Sequence, residues 1–313
     1  MRRTSLRARV YVTVARLSRH LPAVRGRTRV FLELYRLLRL SKEHVLIRSR
    51  LTRPVSFVAD LDLHAWSQRI AFLTGGYEPA TTEFLLRLYS TSGRRGYLLD
   101  VGANIGLVTI PLALANDCET PVIAVEAVPD NIDALLRNVD ANGLNDRIKV
   151  LPVGLGDAPK TVYIQIEGDL HSGEGTGTAN ILPDGSTYEC VRQELRIDTL
   201  DGLVASGQLP NGCSVMKIDT DGYDLKVLQG GTGFLQRNRP VIFGEFAAHC
   251  MAWHGQSLDD VRQFASSQGY VVWLQNQRSR RFVISYDSGS FVQDLLLVPD
   301  EKTSQLRWCL EAS

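Results

Sequence analysis

Leu98-Leu99-Asp100-Val101-Gly102-Ala103-Asn104-Ile105-Gly106 is the stretch that decides the fold. Leu98 to Val101 is a short apolar run broken by one acid, residues 102 to 106 form a glycine turn, and Leu107 to Ala115 is apolar and helix-compatible. Strand, glycine loop and helix in that order make the nucleotide-binding half of a doubly wound parallel sheet, whose ligands sit at the carboxyl ends of the strands. Glycines at the turn let the backbone approach a ligand where a Cβ would block it.

The loop lacks both the G-x-G-x-x-G spacing of dinucleotide binders and the Gly-Lys-Ser/Thr of a P-loop. Asp100 at the strand end would repel a pyrophosphate but favours a cation. S-adenosylmethionine carries an ammonium and a sulfonium and no phosphate. Asp100 and the turn at Gly102, Asn104 and Gly106 are therefore candidate contacts for it. Glu126 closes the next apolar run, Pro121-Val122-Ile123-Ala124-Val125, where a carboxylate suits hydrogen bonds from a ribose diol.

Five segments, taken in order, resemble the FkbM-type S-adenosylmethionine-dependent methyltransferases. They are Asp100-Val-Gly-Ala-Asn-Ile-Gly106, Val122 to Glu126 with Pro129 and Asn131, Asn138 through Asn142-Gly143-Leu144, Gly154-Leu-Gly-Asp157, and Lys217-Ile-Asp-Thr-Asp-Gly-Tyr-Asp224. The resemblance covers roughly Gly76 to Glu245. It implies an α/β fold, a Rossmann-like doubly wound seven-stranded sheet with an antiparallel edge, here preceded by a helical N-terminal extension. It also implies S-adenosyl-L-methionine as cofactor and O-methylation of a hydroxyl on a sugar, glycan or natural-product acceptor. In such enzymes the loop after the third strand, here at Gly154, lies against the adenine. A Gly-x-Tyr-Glu segment, here ending in Tyr77 and Glu78, helps close the site. Two positions depart from the family pattern: Ala127 stands where Pro is usual, and Asp221 where Glu is usual.

The 313 residues are 44% hydrophobic and 22% charged, enough for one full α/β domain with an extension. Charge is unevenly placed. Residues 1–53 hold 15 Arg or Lys against Glu33 and Glu43, leaving 20 basic and 32 acidic residues in the remainder. Three parts are expected: a basic helical extension over 1–53, a pre-core segment over 54–97 that closes on cofactor and substrate, and a methyltransferase domain over 98–313. Five scattered cysteines, odd in number and without C-x-x-C pairs, argue against a disulfide framework or a structural zinc site and for a reduced, cytoplasmic setting. No apolar run approaches the ~18 residues of a membrane span. Val10 to Ala15 is too short for a signal-peptide core.

In the N-terminal part, Val10, Val14, Leu17 and Leu21 recur at helical spacing, as do Phe31, Leu34, Leu37 and Leu38, so helix is expected to about residue 50. This basic amphipathic element either docks on an anionic surface or packs on its own acidic domain or a second copy. A short hairpin strand is expected within 55–65. Strands are predicted at 98–101, 122–126, 148–153, 161–166, 214–219 and 240–245, with edge strands at 270–274, 282–286 and 294–298. Residues 167–190 are rich in Gly, Ser, Thr and Asp and read as a long loop. It is either a plain connection or a lid bringing His171, Thr178 and Asn180 to the substrate.

Methyl transfer is an in-line displacement that gains much of its rate from holding nucleophile and methyl in line. A hydroxyl nucleophile also needs a base. Asp219, at the end of the fourth strand, is the first catalytic candidate and a cofactor contact; Glu245 and His249, after the fifth, come second. Lys217 is expected to pair with an acid. Asp219-Thr-Asp221 admits a rival reading, a D-x-D pair holding a divalent metal in a nucleotide-sugar glycosyltransferase.

Overall fold

A computed structural model describes residues 5–19, 26–40, 43–92, 95–115, 121–168, 175–181, 192–276, 279–284 and 292–311. Helices α1 (Leu6–Ser18) and α2 (Arg27–Leu37) come first. They lead to a hairpin of β1 (Leu46–Leu51) and β2 (Phe57–Asp62), then to α3 (Trp66–Thr74) and α4 (Pro79–Thr91). The core opens with β3 (Tyr97–Val101), α5 (Thr109–Ala115), β4 (Val122–Glu126), α6 (Pro129–Ala141) and β5 (Ile148–Pro152). Then come β6 (Gly154–Leu155), β7 (Lys160–Gly168), β8 (Gly175–Ile181), β9 (Arg192–Asp198) and α7 (Leu200–Ala205). The chain finishes with β10 (Cys213–Ile218), α8 (Asp224–Gln229), α9 (Thr232–Asn238), β11 (Val241–Ala247), α10 (Ala248–Trp253), α11 (Leu258–Ser267), β12 (Tyr270–Gln275), β13 (Phe282–Val283) and β14 (Val292–Pro299).

The main sheet has the order β13-β12-β14-β11-β10-β3-β4-β5. β5, β4, β3, β10 and β11 are parallel, and β14 inserts antiparallel between β11 and β12. This is the expected doubly wound sheet with an antiparallel edge. The two-residue β13 adds an eighth strand beyond it. β3 and β4 are buried at every position because helices cover both faces, which is why their sequences are apolar but for one acid each, Asp100 and Glu126.

Two expectations are corrected. Helix does not continue to residue 50: Leu46–Leu51 is a strand, with Ser49 and Leu51 buried and Arg48 turned outward onto Asp60. It pairs with β2 across the boundary drawn at residue 53, with Leu51 opposite Phe57. Residues 167–190 are not one loop. β7 reaches Gly168 and pairs with β8 in a second sheet of order β6-β9-β7-β8. Arg192–Asp198 is strand, and α7 follows at Leu200, capped by Thr199, which accepts from the Gly202 N–H at 2.9 Å. His171 lies outside the described residues, as do the side chains of Thr178 and Asn180.

Two asparagines fasten the hairpin to the core. Asn142 accepts from the Val58 N–H at 2.9 Å and donates to the Val58 carbonyl at 2.7 Å, standing in for a neighbouring strand. Asn138 accepts from the Asp60 N–H at 2.7 Å and donates to the Ile105 carbonyl at 2.9 Å, so one buried amide links hairpin, α6 and glycine loop. α1 buries Ala8, Tyr11, Val12 and Ala15 in the same core, with the Tyr11 ring 5.4 Å from that of Tyr35. Cys213, Cys250 and Cys309 are buried free thiols; Cys118 and Cys190 lie outside the described residues. Among the described residues no helix is long and apolar enough to cross a membrane.

Candidate active site

The carboxyl ends of β3, β4 and β10 open into a cavity of ≈ 300 Å³, within the usual small-molecule range of roughly 300–1,000 Å³. The glycine loop forms its floor. Gly102 and Ala103 both donate to the Val125 carbonyl at 3.0 Å, and Asp219 donates through its N–H to Val101. Gly102 sits at φ +80°, and a Cβ there would stand 1.8 Å from the Asp219 carbonyl oxygen. The loop is thus clamped between the ends of β4 and β10, and only glycine permits the approach.

Glu126, 7% exposed, marks the β4 end of the cavity. It accepts from the Asn104 N–H at 2.7 Å, from the Val128 N–H at 2.8 Å and from the Asn131 side-chain amide at 3.4 Å. Burial pushes its carboxyl up, and these donors oppose the push. The carboxylate also sits at the N-terminus of α6, where the helix dipole favours negative charge. Beside it Val153, Gly154, Leu155, Ile164, Leu195 and Ile197 form an apolar wall. All but Val153 come from the second sheet.

The other half of the cavity is charged. Lys217, Asp219, Asp221 and Glu245 line it, with Trp66 and Tyr77 from the pre-core segment. The buried Lys217 ammonium lies 3.0 Å from Asp219 Oδ2 and 3.6 Å from Asp100 Oδ1. Burial opposes its charge, but Asp219, Asp100 and Glu78 outweigh burial and hold the Lys217 pKa above its usual value. Lys217 is the one cation among the described lining residues. The remaining acids therefore hold protons tightly. Burial, then the charges of Asp219, Asp224 and Glu245, push Asp221 up to about 8. Burial, then Asp219, Glu78 and Asp294, push Glu245 up to about 7. Asp224 is spent on shaping the loop: it accepts from the Thr220 N–H and hydroxyl, both at 2.8 Å, and from the Gly222 N–H at 3.1 Å.

Of the expected site residues, Tyr77, Gly102, Asn104, Glu126, Gly154, Asp219 and Glu245 meet in this cavity. Four do not line it. Asp100 is 1% exposed and points under the loop, where it accepts from the Thr109 hydroxyl at 2.6 Å. Gly106 packs against Leu135 and Ile110. Glu78 begins α4 at φ +41° and acts on the cavity through its charge; burial raises its carboxyl, and Lys217 draws it back. His249 is exposed on α10, its ring edge-on to Trp253 at 6.4 Å. Asp157 is likewise outside, paired with Lys160 at 2.9 Å and Lys226 at 3.5 Å. Sequence reasoning missed Lys217 as a lining residue and the wall of Ile164, Leu195 and Ile197. The alternation Val162/Ile164 and Leu195/Ile197 was the available signal, since all four are buried in one cluster. Among the described residues no group of three or more His, Cys, Asp or Glu is arranged to hold a metal ion.

The sequence model of the methyltransferase FkbM domain matches residues 100–272. The hexuronic acid methyltransferase AglP of Haloferax volcanii is 34% identical over 150 residues, covering 46% of this chain and 54% of that protein. The chain thus spans about half the length of this curated relative. Two solved structures are similar at 16% identity. A methyltransferase FkbM from Methylobacillus flagellatus covers 93% of this chain and 59% of its own, with a TM-score of 0.42. An O-methyltransferase from Bacillus cereus in complex with SAH covers 93% and 99%, with a TM-score of 0.40.

Proposed function

The chain belongs to the FkbM methyltransferase family, and on that premise we propose that it is an S-adenosylmethionine-dependent O-methyltransferase acting on a sugar hydroxyl. The observation that carries this reading is a single cavity with two unlike halves. One half has an apolar wall beside a buried, hydrogen-bonding carboxylate; the other has three acids against one ammonium. That donor set suits an adenosine at one end and a cationic methyl donor at the other.

Glu126 would take the ribose hydroxyls, and Val153, Leu155, Ile164, Leu195 and Ile197 the adenine face, with the Gly154 backbone at its edge. Asp219 and the Gly102–Asn104 loop would hold the charged end. When bound, the cofactor supplies an electrophilic methyl group on a sulfonium. The chain supplies the rest. Asp219 accepts a hydrogen bond from the acceptor hydroxyl and orients its oxygen. Glu245, whose proton affinity lies near neutrality, takes the proton. Lys217 keeps Asp219 in place. Tyr77 and Trp66, from the 54–97 segment, exclude water from the acceptor side.

The named acceptor of the Haloferax volcanii relative, a hexuronic acid, supports a sugar acceptor here. The surplus of acids over Lys217 favours attack by a neutral hydroxyl over attack by a carboxylate, which this half of the cavity would repel. The proposal includes a cytoplasmic location, in keeping with free thiols at Cys213, Cys250 and Cys309. The glycosyltransferase reading of Asp219-Thr-Asp221 draws no support from the relatives. The test is transfer of a labelled methyl group from S-adenosylmethionine to a panel of neutral sugars and uronic acids. An alkali-stable methyl ether supports the reading. An alkali-labile ester would move the methylated atom to a carboxylate, and no transfer to any sugar would remove the acceptor class.

A further inference from the structure

Helix α1 is apolar on two opposite faces, and the fold uses only one. Ala8, Tyr11, Val12 and Ala15 are buried in the core. On the other side Leu6, Val10, Val14 and Leu17 follow at spacings of four, four and three, within roughly 80° of the helix circumference. These four are 77%, 52%, 45% and 65% exposed. A helix needs one apolar face to dock on its own domain. A second contiguous face left to water marks an interaction surface.

Charge identifies what covers it. By their places on the helix, Arg7 borders the stripe on one side and Arg9 and Arg16 on the other. Among the described residues only Arg7 of these meets a carboxylate, Glu43 at 2.8 Å. Arg16 and Arg19 donate to the backbone carbonyls of Arg48 and Arg50, contacts that leave the positive charge uncompensated. Residues 1–53 as a whole hold 15 basic side chains against 2 acidic ones.

We propose that this face of α1 docks the protein on an anionic lipid surface. Leu6, Val10, Val14 and Leu17 enter the boundary between headgroups and acyl chains, and the flanking arginines meet lipid phosphates. A second copy of the chain fits less well, because apposed α1 faces bring their arginines together. Nucleic acid fits less well because aliphatic side chains gain little from a phosphate backbone, and the aromatic of this helix, Tyr11, is turned into the core. The inference does not rest on the methyltransferase reading.

The experiment is co-sedimentation of the full chain with vesicles of phosphatidylcholine alone or mixed with phosphatidylglycerol, at low and high salt. Sedimentation velocity and retention of RNA and DNA are run alongside. The expected result is binding to the mixed vesicles only, weakened by salt, and reduced roughly tenfold or more in Val10→Ser/Val14→Ser/Leu17→Ser. The melting temperature of that variant should match the parent, since all three side chains are exposed. Arg9→Glu should weaken binding without touching the stripe. Equal binding by the triple variant overturns the proposal. So does a dimer that this variant dissociates, or nucleic-acid retention that it abolishes without any vesicle binding.

Discussion

A Cβ on Gly102 would stand 1.8 Å from the carbonyl oxygen of Asp219. The loop after β3 and the end of β10 therefore touch backbone to backbone, and one glycine at φ +80° sets the spacing between the cofactor loop and the acid cluster. Gly102→Ala must both adopt a left-handed conformation, at about 1–2 kcal/mol, and push Asp219 away. The melting temperature is expected to fall by several degrees, and affinity for S-adenosylhomocysteine to fall with it. A variant that binds like the parent would show that the contact does not position the site.

Lys217 is the counter-charge for two acids, one of them Asp100 at 1% exposure. Lys217→Met leaves the Asp100 carboxylate buried without a cation, a change that costs about 3–5 kcal/mol in comparable sites. Because its pKa is raised in the folded state, the lysine contributes stability across the whole range below its ordinary pKa. The loss should thus be seen at pH 6 as well as pH 8. Denaturant unfolding checks it. Adding Asp100→Asn should recover part of the loss, and no recovery would contradict the pairing.

Asp221 gives a prediction of opposite sign. Its carboxyl, at 3.8 when unperturbed, is pushed up to about 8 by burial and neighbouring acids. The folded state then binds the proton more tightly than the unfolded chain, so stability falls as pH rises from about 4 to about 8. Asp221→Asn removes that slope, and asparagine tolerates the local φ of +51°. The variant should melt higher than the parent at pH 8 and converge with it toward pH 4. A parallel offset at all pH values would assign the effect to packing instead.

For turnover, Glu245 at about 7 predicts that kcat/KM climbs through neutral pH as this acid loses its proton. Glu245→Gln should flatten that limb while leaving cofactor binding near the parent value. Asp219→Asn should lower kcat at every pH by roughly 10²-fold or more. If Asp219→Asn retains full turnover, the catalytic assignment fails.

The parallel core was legible because strands covered on both faces are written as mainly apolar runs, as at Val122–Val125 and, with Asp100 as its one acid, Leu98–Val101. Glu126 was legible for the same reason: an acid that ends such a run has few places to go. The failures are equally physical. β1 carries Arg48 and Arg50 on its outer face and continues a basic stretch, so its period of two was hidden by composition. β8 draws on Gly and Thr and offers no apolar alternation to read. Asp100 looked like a ligand contact, but Thr109, nine residues on, turns back across the glycine loop to claim it. His249 follows β11 by two residues, yet a new helix begins there and carries it to the surface.

The most direct test of the central claim is calorimetric titration of the protein and of Glu126→Ala with S-adenosylhomocysteine. The account predicts one site of micromolar strength in the parent. It predicts a loss of about 10-fold to 100-fold in the variant, the cost of removing charge-assisted hydrogen bonds to the ligand and to the Asn104 and Val128 amides. Parent and variant binding alike, or no binding by the folded parent, would contradict the assignment of this cavity to an adenosyl cofactor.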